Sequence, residues 1–179
     1  MVPDDILIRA RRLDSAALSE IHDRYYPEIY RYVHYRLNDV PVCEDIVAEV
    51  FLRLIDALHK KRGPDQNLRG WLFGTASNLV NDHLRSRYSQ KSDILATNND
   101  SSMDGSHPEH IVEDEWMQQQ VLQALYELTP EQQHVLALRF SDERSLEETA
   151  SILGKSVTAV KGLQFRAIAS LRRLLEGKI

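Results

Sequence analysis

The chain has 179 residues, is 42% hydrophobic and 27% charged, and carries a formal net charge of −5 at pH 7. Such proportions belong to a globular protein of one domain or two small ones. A single cysteine, Cys43, excludes an internal disulfide and argues against a zinc cluster. No apolar run approaches the roughly 18 residues of a membrane span. The N-terminal stretch MVPDDILIRARRLD lacks a signal-peptide core. A soluble, cytoplasmic chain is expected.

Apolar residues recur every three or four positions through Asp14–Leu37, at Leu18, Ile21, Tyr25, Ile29 and Val33, which predicts a helix. Pro27 predicts a kink or restart within it. Val42–Leu58 repeats the pattern with Ile46, Val47, Val50, Phe51, Leu54 and Leu58. Its opposite face carries Asp45, Glu49, Leu52, Arg53 and Asp56, so one apolar side chain stands among charges. That arrangement suits a protein contact with a polar rim, although a single exposed leucine is also ordinary.

A basic loop with Lys60, Lys61 and Arg62 leads into a third periodic stretch, Asn67–Tyr88, with Leu68, Leu72, Ala76, Leu79, Val80 and Leu84. Its polar face lines up Asn78, Asn81/Asp82 and Arg85, with Arg87 a turn beyond. Residues 60–87 hold six basic and two acidic side chains. A basic loop beside a helix bearing Asn and Arg can hold phosphates and read exposed base edges. Trp71, on the flank of this helix, could stack on a base; a place in the core is the commoner use of such a residue.

Residues 89–111 are rich in Ser, Asn, Asp and Gly and read as a flexible acidic linker. The charge is concentrated there: residues 89–130 hold one basic and eight acidic side chains, whereas residues 1–88 hold 13 of each. His107 and His110 lie in this linker and read as solvated. Val112–Leu128 is a further predicted helix. Thr129 then stands as an N-cap before Pro130 at the first turn of another, ending near Phe140.

Leu146–Leu175 reads as a helix-turn-helix. Ala150 is small where two helices must cross, Gly154 supplies a positive φ at the turn, and Val160 points the second helix's apolar edge at the first. From Gly154 onward there are six Lys/Arg against one acid. A second helix packed in this way leaves an outward face free for a DNA major groove, and a basic charge favours that partner. The fold expected is all-α: two small helical domains, 1–88 and 112–179, joined by the linker at 89–111. No Gly-rich phosphate loop, metal-ligand cluster or nucleophile–base pairing occurs. His22, His34, His59, His83 and His134 are scattered. No catalytic residue, metal or cofactor is expected.

The order DIVAEVF, WLFGTASNLVNDHLRSR, a variable linker, LTPEQQHVLALRF and SLEETASILGKSVTAVKGLQFRA resembles a bacterial RNA polymerase sigma factor of the extracytoplasmic-function group. The resemblance covers most of the chain and rests on several independent motifs in order. It implies a first domain that binds the polymerase clamp and melts the promoter −10 element. It implies a second domain that binds the −35 element and the flap of the β subunit. Asp45, Glu49, Leu52, Arg53 and Asp56 would then meet polymerase. Lys60, Lys61, Arg62, Asn78, Asp82, Arg85 and Arg87 would meet −10 DNA. Lys155, Ser156, Thr158, Ala159, Lys161, Gly162, Gln164, Phe165 and Arg166 would meet −35 DNA. An anti-sigma factor is a usual partner in this group, and no membrane insertion is implied.

Three departures stand out. Ala48 replaces a frequent Gln in the clamp motif, the basic loop replaces a frequent aromatic, and Gly162, Leu163 and Ile168 replace polar or basic residues of the recognition helix. The −35 sequence therefore does not carry over by analogy. A helix-turn-helix regulator that binds duplex DNA alone as a dimer is the alternative reading.

Overall fold

The computed structural model describes residues 4–97, 117, 120, 121, 123–141 and 143–176. Seven helices are bounded within them: α1 Asp4–Ala10, α2 Ser15–Leu37, α3 Val40–His59, α4 Leu68–Thr97, α5 Pro130–Phe140, α6 Leu146–Leu153 and α7 Val157–Glu176. Residues 123–127 are also helical. No strand occurs among the described residues, and none of their helices is long and apolar enough to cross a membrane.

Local chemistry sets most of the ends. Asp14 caps α2 by accepting from the Ala17 amide at 2.8 Å, and that bond holds its carboxyl below the usual range. Asn38 ends α2 in the left-handed region at φ 50°, where Asn is tolerated, and Asp39 caps α3 at once. Thr129 with Gln132, and Ser145 with Glu148, form reciprocal capping boxes at α5 and α6. Gly154 closes α6 at φ 62°.

A Cβ at Gly154 would meet nothing within 4 Å, so the only cost of a side chain there is conformational. Gly154→Val should destabilise the protein by about 1–2 kcal/mol, while Gly154→Asn should cost much less because Asn visits this region. Urea unfolding of the two variants checks this; equal losses would contradict it.

Two differences from the sequence reading are physical. Pro27 does not restart the helix, since α2 runs unbroken from Ser15 to Leu37. The proline lies on the exposed face, and Asp23, whose carbonyl loses its usual amide partner there, is also exposed. Second, α4 continues to Thr97, nine residues past the expected start of the linker. Residues 89–97 contain neither Gly nor Pro, so polarity alone does not stop a helix already nucleated. The rest of the acidic linker, residues 98–111 with His107 and His110, and the start of the helix expected from Val112 lie outside the described residues. Helix α1 was not read from sequence at all; Ile6, Leu7 and Ala10 bury its short apolar edge.

One core joins Ile21, Ile29, Tyr32 and Val33 of α2 to Val47, Val50 and Leu54 of α3 and to Leu72, Phe73, Ala76 and Val80 of α4. Every apolar residue of the three predicted stripes lies in this core or packs against it. Cys43 is buried there, and burial pushes its thiol up, so it is a packing residue. A second core holds the helix-turn-helix together through Val135, Leu136, Ala150, Val160, Leu163 and Ala167. The two are not separate bodies. Ala137 and Leu138 of α5 and Ile152 of α6 belong to the first core.

Candidate polymerase and nucleic-acid interfaces

Helix α3 buries Val47, Val50 and Leu54 and turns the opposite face outward. Leu52 is 61% exposed there and Ile55 43%. Asp45, Arg53 and Asp56 are exposed around them and Glu49 is half-buried. Arg53 pairs with Glu49 at 2.8 Å, and Lys60 with Asp56 at 2.9 Å. The face is therefore an apolar pair bordered by Asp45 and by two ion pairs, which costs little to desolvate at its centre. Ile55 was not singled out from sequence; its place one turn after Leu52 was the available signal.

The loop after α3 turns sharply. Lys61 takes φ 54°, and the Lys61 and Arg62 amides bond back to Leu58 and Ala57. This closes α3 and leaves Lys60, Lys61 and Arg62 exposed. On α4, Asn78, Asp82, Arg85 and Arg87 are exposed, with Asp82 and Arg85 at 3.5 Å. The first, second and third of these share one edge of the helix by their spacing. Asn81, read from sequence as an alternative to Asp82, points elsewhere: it accepts from Arg36 Nη2 at 2.7 Å. Trp71 is half-buried against the core rather than projecting as a platform.

In the helix-turn-helix, Ala150 is 5% exposed and Val160 fully buried, so α6 and α7 cross closely at those positions. Ser156 caps α7 by accepting from the Ala159 amide at 3.2 Å. Buried Val160, Leu163 and Ala167 define the inner edge of α7. Thr158, Ala159, Lys161, Phe165 and Arg166 are exposed, Phe165 at 76%. Gly162 is half-buried, and the nearest atom to a Cβ there would be Arg166 Nη1 at 3.4 Å. No packing inside the protein requires a glycine at that position. Gln164 accepts from Arg139 Nε of α5 at 3.2 Å, and Lys155 pairs with Glu131 at 3.1 Å. Both are thus engaged with α5. No group of three or more His, Cys, Asp or Glu is placed for a metal among the described residues.

A set of polar side chains that sequence reasoning missed joins the two halves. Glu28 of α2 accepts from Arg69 at 2.8 Å and from Arg144 at 3.2 Å. The Arg144 guanidinium, only 5% exposed, lies 4.9 Å from the centre of the Phe73 ring. Arg36 donates to Asn81 and to Gln133, and Gln133 donates in turn to the carbonyls of Tyr126 and Leu128 at 2.9 Å. His134 packs edge-on against Tyr32 at 5.6 Å. Its Nε2 is buried without a hydrogen-bond partner among the described residues.

Burial first, and the Arg36 charge second, push His134 down to about 4. Arg36 of α2, Glu131 of its own helix and Lys155 after α6 are the charged groups around this crevice. The packed form holds the imidazole neutral. Its contribution is therefore complete above the ordinary histidine value of about 6.5 and is lost as pH falls from there toward 4. Between pH 7.5 and 5 the wild type should lose melting temperature more steeply than His134→Gln; equal slopes would contradict this.

Against this geometry, comparison with known proteins is decisive. The Sigma-70 region 2 family model matches residues 21–90, and the Sigma-70 region 4 model matches residues 124–173. The chain belongs to the extracytoplasmic-function (ECF) RNA polymerase sigma factors. It is 32% identical over 171 residues to the ECF sigma factor BldN of Streptomyces coelicolor, covering 96% of this chain and 65% of that protein. It therefore spans just under two thirds of the length of that relative. It is 28% identical to the ECF sigma factor SigX of Bacillus subtilis, covering 87% of this chain and 82% of that one. Among solved structures, CnrH in complex with the cytosolic domain of CnrY matches with TM-score 0.60 at 22% identity, covering 98% of each chain. That likeness supports the all-helical fold of the described residues.

Proposed function

We propose that this sigma factor docks on core RNA polymerase through α3 and directs initiation by reading two promoter elements, one from each half. It acts by recruitment and positioning, without catalysis, in the cytoplasm. Residues up to 88 would carry the polymerase and −10 surfaces, and residues 112–179 the −35 surface, in line with the two matched family models. The observation that carries the reading is helix α7. Its inner edge is sealed in the second core, while Thr158, Lys161, Phe165 and Arg166 are left exposed on a helix following a tight turn.

Each exposed residue has a task that fits its chemistry. Lys161 and Arg166 supply phosphate or guanine contacts. Phe165, too exposed to serve the core, offers an apolar surface suited to a thymine methyl. Gly162 lets the backbone approach the groove closely at a cost of about 1 kcal/mol of helix stability. Ser156 and the first amides of α7 present a positive helix end to a phosphate. Gln164, held by Arg139, stiffens the helix rather than reading a base.

On α4, Asn78 would hydrogen-bond an unstacked base while Arg85, Arg87 and the loop at 60–62 hold the backbone. Separate weak contacts become effective because both halves ride on one polymerase.

Holoenzyme binding to a promoter fragment, measured across a salt series, tests the assignment. Lys161→Ala should weaken binding about uniformly and lower the salt slope by about one. Phe165→Ala should instead shift sequence preference within the −35 element and leave the slope unchanged. If neither substitution alters binding, α7 is not the reading helix.

A further inference from the structure

We infer that Arg11 is a positioning residue for −10 recognition: from the end of α1 it holds the loop that runs from α3 to α4. The inference rests on the function proposed above, which sets this loop against the melted strand. Helix α1 precedes residues 21–90, the part matched by the region 2 family model, and carries none of the polymerase or DNA residues assigned above. The two ends of the loop are fixed by the helices they leave. Lys61 and Arg62 bond back to α3. Asn67 caps α4 by accepting from the Gly70 amide at 2.8 Å, and donates to the Ser151 carbonyl at 2.9 Å. Between them, Gly63, Pro64 and Asp65 make no backbone–backbone hydrogen bond among the described residues. Gly63 passes so close to α3 that a Cβ there would stand 2.7 Å from Leu58 Cδ2, and Pro64 is buried. Pro64 has no N–H, so its carbonyl is the polar group available to anchor this stretch. Arg11 Nη2 donates to that carbonyl at 2.9 Å and pairs with the Asp65 carboxylate. One guanidinium thus ties two consecutive loop residues from 53 positions away.

Arg11 is itself held in place. Ile6, Leu7 and Ala10 seal α1 into the first core. The turn after α1 is closed by the Arg11 amide donating to Leu7 at 3.0 Å and by Leu13 at φ 59°. Arg9 braces the same turn, pairing at 3.1 Å with Asp14, the cap of α2. A pinned turn therefore meets a stretch of loop that lacks anchors of its own. Asp65 is 89% exposed, and an ion pair so open to water adds little to the stability of the fold. What Arg11 sets is the place of the loop, and two effects on DNA follow. The bond to Pro64 keeps Lys60, Lys61 and Arg62 in one arrangement, so less ordering remains to be done when the strand arrives. The pairing with Asp65 offsets the one acid among residues 60–66, whose charge would otherwise repel phosphate.

Limited trypsin cleavage of the free full-length chain, and promoter opening by its holoenzyme, test this together. Lys60, Lys61 and Arg62 are exposed trypsin sites. Arg11→Ala should speed cleavage there by about 10-fold, the scale of one lost hydrogen bond to a charged group, at an unchanged melting temperature. Its holoenzyme should open a promoter carrying 2-aminopurine in the −10 element about 10-fold more slowly, at unchanged affinity for core polymerase. Arg11→Lys, with one compact ammonium, should fall between the two. The double variant Arg11→Ala/Asp65→Asn separates placement from charge and should open as slowly as Arg11→Ala. Unchanged cleavage or unchanged opening in Arg11→Ala would overturn the inference. So would full recovery in the double variant, which would leave Arg11 only a mask for Asp65, or a loss of core affinity as large as the loss of opening. If the wild type opens no promoter with core while cleavage still responds to Arg11→Ala, the sigma-factor reading fails and the promoter role of Arg11 falls with it, although the loop contact stands.

Discussion

Phe73→Ala is expected to destabilise the protein by about 3–5 kcal/mol, the cost of deleting a fully buried phenyl ring. Phe73 is 0% exposed in α4. Tyr32 meets it edge-on at 5.3 Å, and the Arg144 guanidinium lies over it at 4.9 Å. The ring therefore supports the first core and also accommodates a buried cation from the second half. Its loss leaves a cavity and exposes Arg144 to a poorer environment, and both effects have the same sign. Urea unfolding followed by circular dichroism gives the number. A loss under about 1 kcal/mol would mean that the junction between the halves contributes little to stability.

Leu52→Asp should leave the melting temperature unchanged and weaken association with core polymerase by about 30-fold or more, the effect of removing a central interface anchor. Leu52 is 61% exposed and makes no contribution to either core. Its neighbours Glu49 and Arg53 already satisfy each other, so the apolar surface at Leu52 and Ile55 is what a partner would gain by covering this face. Fluorescence anisotropy with labelled protein and core polymerase measures this. An unchanged affinity would move the polymerase contact away from α3.

The helices were legible because their apolar stripes repeat at the helical period over long stretches: Ile21, Tyr25, Ile29 and Val33 could face only one way. The turn at Gly154 was legible for a different reason, since only a positive φ explains a glycine between Leu153 and the polar start of α7. What escaped was chemistry without a period. Glu28, Arg36, Asn67, Gln133 and Arg144 look like solvated polar residues in sequence, and they meet only because α5 and α6 fold back on α2 and α4. Contacts separated by up to 116 positions leave no local signature. The same holds for Asn81 and Gln164, which stand on polar stripes but are claimed by Arg36 and Arg139. Asn78 and Lys161 were legible as polar positions off the apolar stripes, and both are exposed, whereas Phe165 entered only through the family resemblance.

Run-off transcription with purified core RNA polymerase, with and without this protein, on a pool of genomic promoter fragments tests the central claim most directly. The account predicts discrete new start sites that appear only with the protein and share two upstream elements. An absence of new transcripts and of association with core, together with tight binding of the protein alone to duplex DNA, would contradict it.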